Sequence, residues 1–148
     1  MEINGLPLHA LVVHAAVVFG PLAALAGLGY AVPRWRDRLR WPLVVAVLVA
    51  TVSIWVAYLS GEQLTDANEY GGPLAELVET HEDRAGMLRL SVTVFALVSL
   101  VAAWLHTRTG AVRLALAALV AVLAVLTAVS TILVGDAGAQ IAWYGTSA

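Results

Sequence analysis

Three histidines and two carboxylates lie near the ends of apolar segments, and imidazole and carboxylate side chains commonly bind metal ions. They are His9, His14, Glu62, His81 and Asp136. Imidazole and carboxylate ligands together suit zinc, iron, copper or nickel. The chain contains no cysteine, so neither a thiolate metal site nor a disulfide framework is available.

The spacing of the first two histidines limits how they act together. His9 and His14 are five residues apart, which on a helix is about 7.5 Å along the axis and about 140° around it. The pair therefore cannot chelate one ion as an i, i+4 pair would. His14 is surrounded by valine and alanine, and an ionisable side chain at that depth is expected to face the interior of a helical bundle and to have a partner there.

Four apolar stretches must position these groups, at residues 8–32, 42–60, 87–105 and 114–134. Each approaches or exceeds the roughly 20 residues that span a bilayer as helix. The chain is 61% hydrophobic and 12% charged, whereas soluble domains are about 25% charged. We therefore predict an all-α integral membrane protein, with residues 1–148 forming a single four-span domain.

The charges predict how the spans are oriented. Six of the eight arginines lie in the links after the first and third spans, and nine of the ten acids lie elsewhere. The six arginines in these links are Arg34, Arg36, Arg38, Arg40, Arg108 and Arg113. By the positive-inside rule these links are cytoplasmic, and both termini and the loop 61–80, which we expect to be partly helical, are extracytoplasmic. The short links predict an up-down four-helix bundle.

The two predicted hairpins carry similar signals. Gly61-Glu62 ends the second span and Gly135-Asp136 ends the fourth, while a histidine lies near the outer start of the first and third. Hairpins with the same in–out sense would form a parallel repeat about an axis along the membrane normal. Such a repeat would place histidines and carboxylates around one outward-facing mouth.

Three short segments resemble a known family. They are His9-Ala-Leu-Val-Val-His14, Thr80-His81-Glu82 and Gly135-Asp136-Ala137-Gly138. The chain is similar to the bacterial membrane proteins grouped as domain of unknown function 2231, which have four spans and the motifs His-Pro-x-x-Val-His and Gly-His-x-Gly. Here Ala10 and Asp136 replace the proline and the last histidine. The resemblance implies a bacterial cytoplasmic membrane and a redox setting, because relatives occur with iron–sulfur or cytochrome-type domains, but it implies no defined reaction.

One hypothesis from these residues is a haem b held between helices. His14 and His81 would be the axial ligands, with Arg84 or Arg89 near the propionates. Arg89 lies about 12 Å deeper than His81 along the third helix. We therefore expect it to have a carboxylate partner, such as Glu62, or the anionic group of a ligand.

Two other hypotheses remain open. A transition-metal ion could be bound directly by three or four of the candidate ligands, namely His9, His14, His81, Asp136 and Glu62. Alternatively, the protein is a structural or assembly subunit without a cofactor, in which His14 is hydrogen-bonded inside the bundle and His106 is an interface residue. The sequence has no hydrolase or nucleophile signature, and it leaves open whether the protein is an enzyme with a redox role. The expected partners are the bilayer, a membrane or extracytoplasmic redox protein and, through small-residue helix faces, a second copy, but not nucleic acid.

Overall fold

The computed structural model describes residues 2–3 and 6–145, with side chains from residue 8 onward. Four helices account for most of this length: α1 Leu8–Ala31, α2 Arg36–Asp66, α3 Pro73–Trp104 and α4 Gly110–Ala142. They are preceded by β1 Glu2–Ile3 and β2 Leu6–Pro7, which form a two-residue antiparallel pair. The predicted all-α class is confirmed, and all four helices are long and apolar enough to cross a membrane.

Helices α2 and α3 extend beyond the predicted apolar stretches into the acidic segment between them, residues 61–80. Helix α2 continues to Asp66 and α3 begins at Pro73, so the link between them is only residues 67–72. Gly72 has φ +59°, a conformation that glycine adopts without strain, and Pro73 occupies the first helical turn, where its missing N–H costs nothing. Apart from Glu69 in the link, the carboxylates of this region therefore lie on helix ends rather than on a long loop.

The four helices pack in a ring in which α1 contacts α2 and α4, and α3 contacts the same two helices. At one end, which we call the histidine end, His9 of α1 contacts Ala57 of α2. At the other, which we call the arginine end, Tyr30 of α1 contacts Ala102 of α3. The start of α1 therefore lies beside the second half of α2 at the histidine end, and the ends of α1 and α3 lie together at the arginine end.

Small residues allow α1 to approach its neighbours closely. A methyl group at Gly20 would lie 2.8 Å from the Oγ1 atom of Thr131, and one at Gly27 would lie 2.7 Å from a ring carbon of Phe95. Close backbone approach of this kind provides van der Waals packing between membrane helices. Such packing matters because the hydrophobic effect does not drive helix association within lipid. Large apolar side chains instead cover the outer surface, as with Leu25 at 64% exposure.

The burial pattern repeats between the two hairpins. Six of the seven buried residues of α1 are matched, 72 positions later, by a buried residue of α3. Each of the five buried residues of α4 lies 77 positions after a buried residue of α2. The first pairing relates Ala23 to Phe95, and the second relates Val47 to Ala124. The two halves of the chain therefore present equivalent faces to a common core.

Candidate functional site

The histidine end brings two imidazole rings together from different hairpins. The ring centroids of His9 and His81 are 6.3 Å apart, and the ring planes are inclined by 86°. The Nδ1 atom of His9 lies 2.9 Å from the carbonyl oxygen of Ala57. Because a carbonyl only accepts, Nδ1 carries a proton, and in the neutral ring the lone pair is then on Nε2. His9 is therefore in the tautomer that can bind a metal through Nε2.

His81 has an equivalent position in the second hairpin. The Val134 carbonyl faces its ring, but the buried Nδ1 atom forms no hydrogen bond within the described residues. Val134 lies 77 positions after Ala57, so each ring lies against the same turn of its partner helix.

A glycine on the second helix of each hairpin makes room for the histidine. A methyl group at Gly61 would lie 3.1 Å from the His9 ring, and one at Gly138 would lie 3.2 Å from Cε1 of His81. The equivalent of Gly61 is therefore Gly138. The sequence-based pairing of Gly61 with Gly135 was wrong by three residues, almost one helical turn.

Both rings line a cavity of about 1060 Å³ at the histidine end. Glu62 also lines it, one residue after the glycine that contacts His9, together with Glu82 and Asp83. The deeper wall is apolar. The site therefore combines two imidazoles with carboxylates at the entrance, although no three potential ligands among the described residues are close enough to hold one metal ion.

His14 does not face this cavity, so the expected inward orientation is wrong. Its ring is exposed on the outer side of α1, and Nδ1 lies 2.9 Å from the Ala10 carbonyl oxygen of the same helix. The structure therefore separates His14 from His81 and brings His9 to His81 in its place.

The remaining candidates lie around the cavity without lining it. Arg84 donates to the Leu133 carbonyl at 3.0 Å and pairs with Asp136 at 3.5 Å, which leaves both groups engaged with each other. Arg89 has no carboxylate partner in the described part of the chain, so the first of its two expected partners is not found, and the anionic group of a ligand stays a prediction. Its guanidinium lies 4.1 Å from the ring centroid of Tyr58 and 5.0 Å from that of Trp55, in cation–π contacts.

Comparison with known proteins gives one match. The family described as predicted membrane protein (DUF2231) matches residues 5–146, nearly the whole chain. The chain belongs to the DUF2231 family. No curated protein and no solved structure matches this DUF2231 chain. The family match confirms the resemblance found in the sequence and the assignment as a multi-pass membrane protein.

A polar cluster at the arginine end of the DUF2231 chain was not predicted. It consists of Tyr30, Arg36, Asp37, Arg40 and His106, and we call it the arginine-end cluster. The hydroxyl of the fully buried Tyr30 donates to the Ala102 carbonyl at 2.8 Å and lies 3.2 Å from Nδ1 of His106. The Nε2 atom of that histidine lies 2.8 Å from Asp37. His106, two residues after the end of α3, thus contacts Tyr30 of α1 and Asp37 in the first turn of α2.

Helical phase was the signal that could have located the site histidines. His9 lies seven residues before Ala16, which is two helical turns, and so shares the face of the small residues that pack α1. His14 is two residues before Ala16, about 200° around the helix, on the opposite face. Depth in the membrane alone indicated His14 as the site histidine, whereas the position around the helix axis indicates His9.

Proposed function

We propose that this DUF2231 protein is an up-down four-helix bundle of the bacterial cytoplasmic membrane that binds haem b between His9 and His81 and transfers electrons. The proposed topology places the histidine end and both termini on the extracytoplasmic side, because the arginine-rich links favour the cytoplasm. The observation that carries the proposed function is the 6.3 Å separation of the two rings.

That separation can be compared with two ligand geometries. With a metal–nitrogen distance of about 2.0–2.1 Å and about 1.2 Å from nitrogen to ring centroid, two imidazoles on opposite sides of one ion have centroids about 6.4 Å apart. At a tetrahedral angle the same distances give about 5.2 Å. The 6.3 Å between His9 and His81 is close to the larger of these distances, so these two side chains would be the ones to hold a haem.

The surroundings of the rings also suit a cofactor. The hydrogen bond from His9 to the Ala57 carbonyl is the type of contact that orients a metal-binding imidazole and increases its basicity. A cavity of about 1060 Å³ is at the upper limit of ordinary ligand pockets, so it is large enough for a macrocycle. Haem, when bound, would supply one-electron chemistry, and the protein would set its potential through the two ligands.

A directly bound transition-metal ion is the second candidate, and Glu62 is the observation that favours it. Its carboxylate lines the same cavity and could join His9 and His81. Haem has the stronger support because it needs only two protein ligands, and no three ligands among the described residues converge on one point. Asp136, paired with Arg84, is not included in either proposal.

The test is an optical spectrum and a metal analysis of one sample purified from haem-replete cells. A Soret band is expected for the wild-type protein, and His9→Ala and His81→Ala should each remove it. His14→Leu is the matched control, since it removes an exposed imidazole of the same helix, and it should keep the band. Circular dichroism must show that all three variants are helical.

Each other outcome has a definite meaning. Protein without haem but with stoichiometric metal that is lost in both alanine variants would replace haem with the directly bound ion. Protein that contains neither and is fully stable would leave the structural or assembly subunit as the function. Loss of the band in His14→Leu alone would show that the site is assigned to the wrong histidine of α1. If haem is bound, the electron partner is expected to be a membrane or extracytoplasmic redox protein.

A further inference from the structure

Arg36 is a buried cation without an anionic partner among the described residues. Its side chain lies near the beginning of α2, and the residue is only 7% exposed. The guanidinium lies 5.3 Å from the ring centroid of Tyr30, and Nε is buried without a hydrogen-bond partner. No carboxylate within the described chain forms an ion pair with it. Arginines buried to this extent are normally paired with an anion, because desolvating an unpaired charge is expensive.

Arg40 lies one helical turn after Arg36 and is held in a fixed direction. Its Nε atom donates to the Ala103 carbonyl at 3.0 Å, and its guanidinium lies 5.0 Å from the centroid of the Trp41 ring. The contacts that orient this side chain use Nε and the flat face, so the two terminal nitrogens keep their hydrogen-bonding capacity. Residues four apart on a helix are neighbours, so the two arginine side chains leave the same face of α2.

The nearest carboxylate is already engaged. Asp37 accepts from His106 at 2.8 Å, and no other acid lies in the links at this end. Six arginines therefore share the arginine end with one carboxylate. The excess positive charge is not balanced by the protein itself.

We propose that Arg36 and Arg40 form a clamp for the phosphate group of an anionic lipid. Planar guanidinium groups bind phosphate oxygens through paired, charge-assisted hydrogen bonds, which lysine cannot reproduce. Trp35 and Trp41, 50% and 64% exposed, flank the clamp. Because such tryptophans settle at the level of lipid headgroups, the clamp lies at the depth of lipid phosphate. The surrounding arginines attract anionic lipids to the same end.

The test measures lipid retention by the intact protein in native mass spectrometry. Phosphatidylglycerol, phosphatidylcholine and inorganic phosphate are added separately to the detergent-solubilised chain. Phosphatidylglycerol should bind more tightly than phosphatidylcholine, and Arg36→Gln should weaken its binding about tenfold or more, as expected for the loss of charge-assisted hydrogen bonds. Arg38→Gln is the matched control, because it removes an exposed arginine of the same helix, and its affinity should change little.

Three outcomes would overturn the proposal. Equal losses in Arg36→Gln and Arg38→Gln would show that the positive surface acts as a whole. Displacement of the lipid by an equal concentration of inorganic phosphate would assign the clamp to the free anion. Since Arg36→Gln could fail to fold, Arg36→Lys provides a second variant, which keeps the charge but lacks the planar fork. Full wild-type affinity in folded Arg36→Lys would also contradict the clamp.

Discussion

Replacement of Gly138 by alanine tests the geometry of the histidine end directly. The added methyl group would lie 3.2 Å from Cε1 of His81, whereas ordinary van der Waals contact begins at 3.4 Å, so the ring must move by a few tenths of an ångström. Metal sites tolerate deviations of about 0.2 Å in ligand distance. Loss of ligand orientation typically reduces affinity about 10- to 100-fold. We therefore expect a loss of haem affinity in this range, with the fold intact.

Gly135 provides the matched control. It lies one turn earlier on α4, and a methyl group there would meet nothing within 4 Å. Alanine at a helical position is intrinsically favoured over glycine by about 1 kcal/mol, so Gly135→Ala should be as stable as the wild type or more so. Gly135 also lines the cavity, but its methyl group would not press on the His81 ring, so the affinity should fall less than in Gly138→Ala. The assay is haem titration of the apoprotein followed at the Soret band, with thermal unfolding of each variant.

Gly61→Ala, the equivalent variant in the first hairpin, should behave like Gly138→Ala. Gly61→Ala places its methyl group 3.1 Å from the His9 ring and is expected to weaken binding to a similar extent. Wild-type affinity in both Gly61→Ala and Gly138→Ala would refute the assignment of these glycines as supports of the ligands. A loss of equal size in Gly135→Ala would show that any change in α4, rather than pressure on the ring, causes the effect.

Three further variants test packing and the polar contacts. Gly27→Val adds atoms where a single methyl group already lies 2.7 Å from a ring carbon of Phe95, so overpacking should destabilise the protein by about 1–3 kcal/mol in thermal or denaturant unfolding. Tyr30→Phe leaves the buried Ala102 carbonyl without its 2.8 Å donor and should cost about 1–3 kcal/mol in the same assays; an unchanged unfolding midpoint would contradict this. Arg84→Gln breaks a 3.5 Å ion pair to a carboxylate that is 58% exposed, and we expect less than about 1 kcal/mol.

The number of helices could be predicted from the sequence because lipid leaves the backbone few alternatives. Within a bilayer every peptide group must be paired inside its own segment, so a long uncharged stretch becomes a helix. Helix ends were less predictable. The polar extension of α2 to Asp66 is stabilised by contacts outside the apolar stretch, such as the hydrogen bond from Thr65 to the Gly61 carbonyl.

The candidate site could be predicted only in part, because depth and direction are separate properties. His81 and Glu62 were identified from their position at the ends of apolar stretches, and both line the cavity. The choice between His9 and His14 required knowledge of which face of α1 packs inward. The arginine-end cluster depends on contacts between residues more than 60 positions apart, which spacing along the chain does not reveal.

The repeated hairpins have a thermodynamic consequence. Each half of the polypeptide supplies one imidazole, so a cofactor shared between them binds only when the halves are associated. Its binding free energy would then be added to the free energy of helix-pair association, as for any ligand that binds the folded state alone. At a free concentration 100 times the dissociation constant this amounts to about 2.7 kcal/mol. The cofactor would therefore stabilise the association of the two hairpins, whose glycine- and alanine-rich faces otherwise meet mainly through close packing.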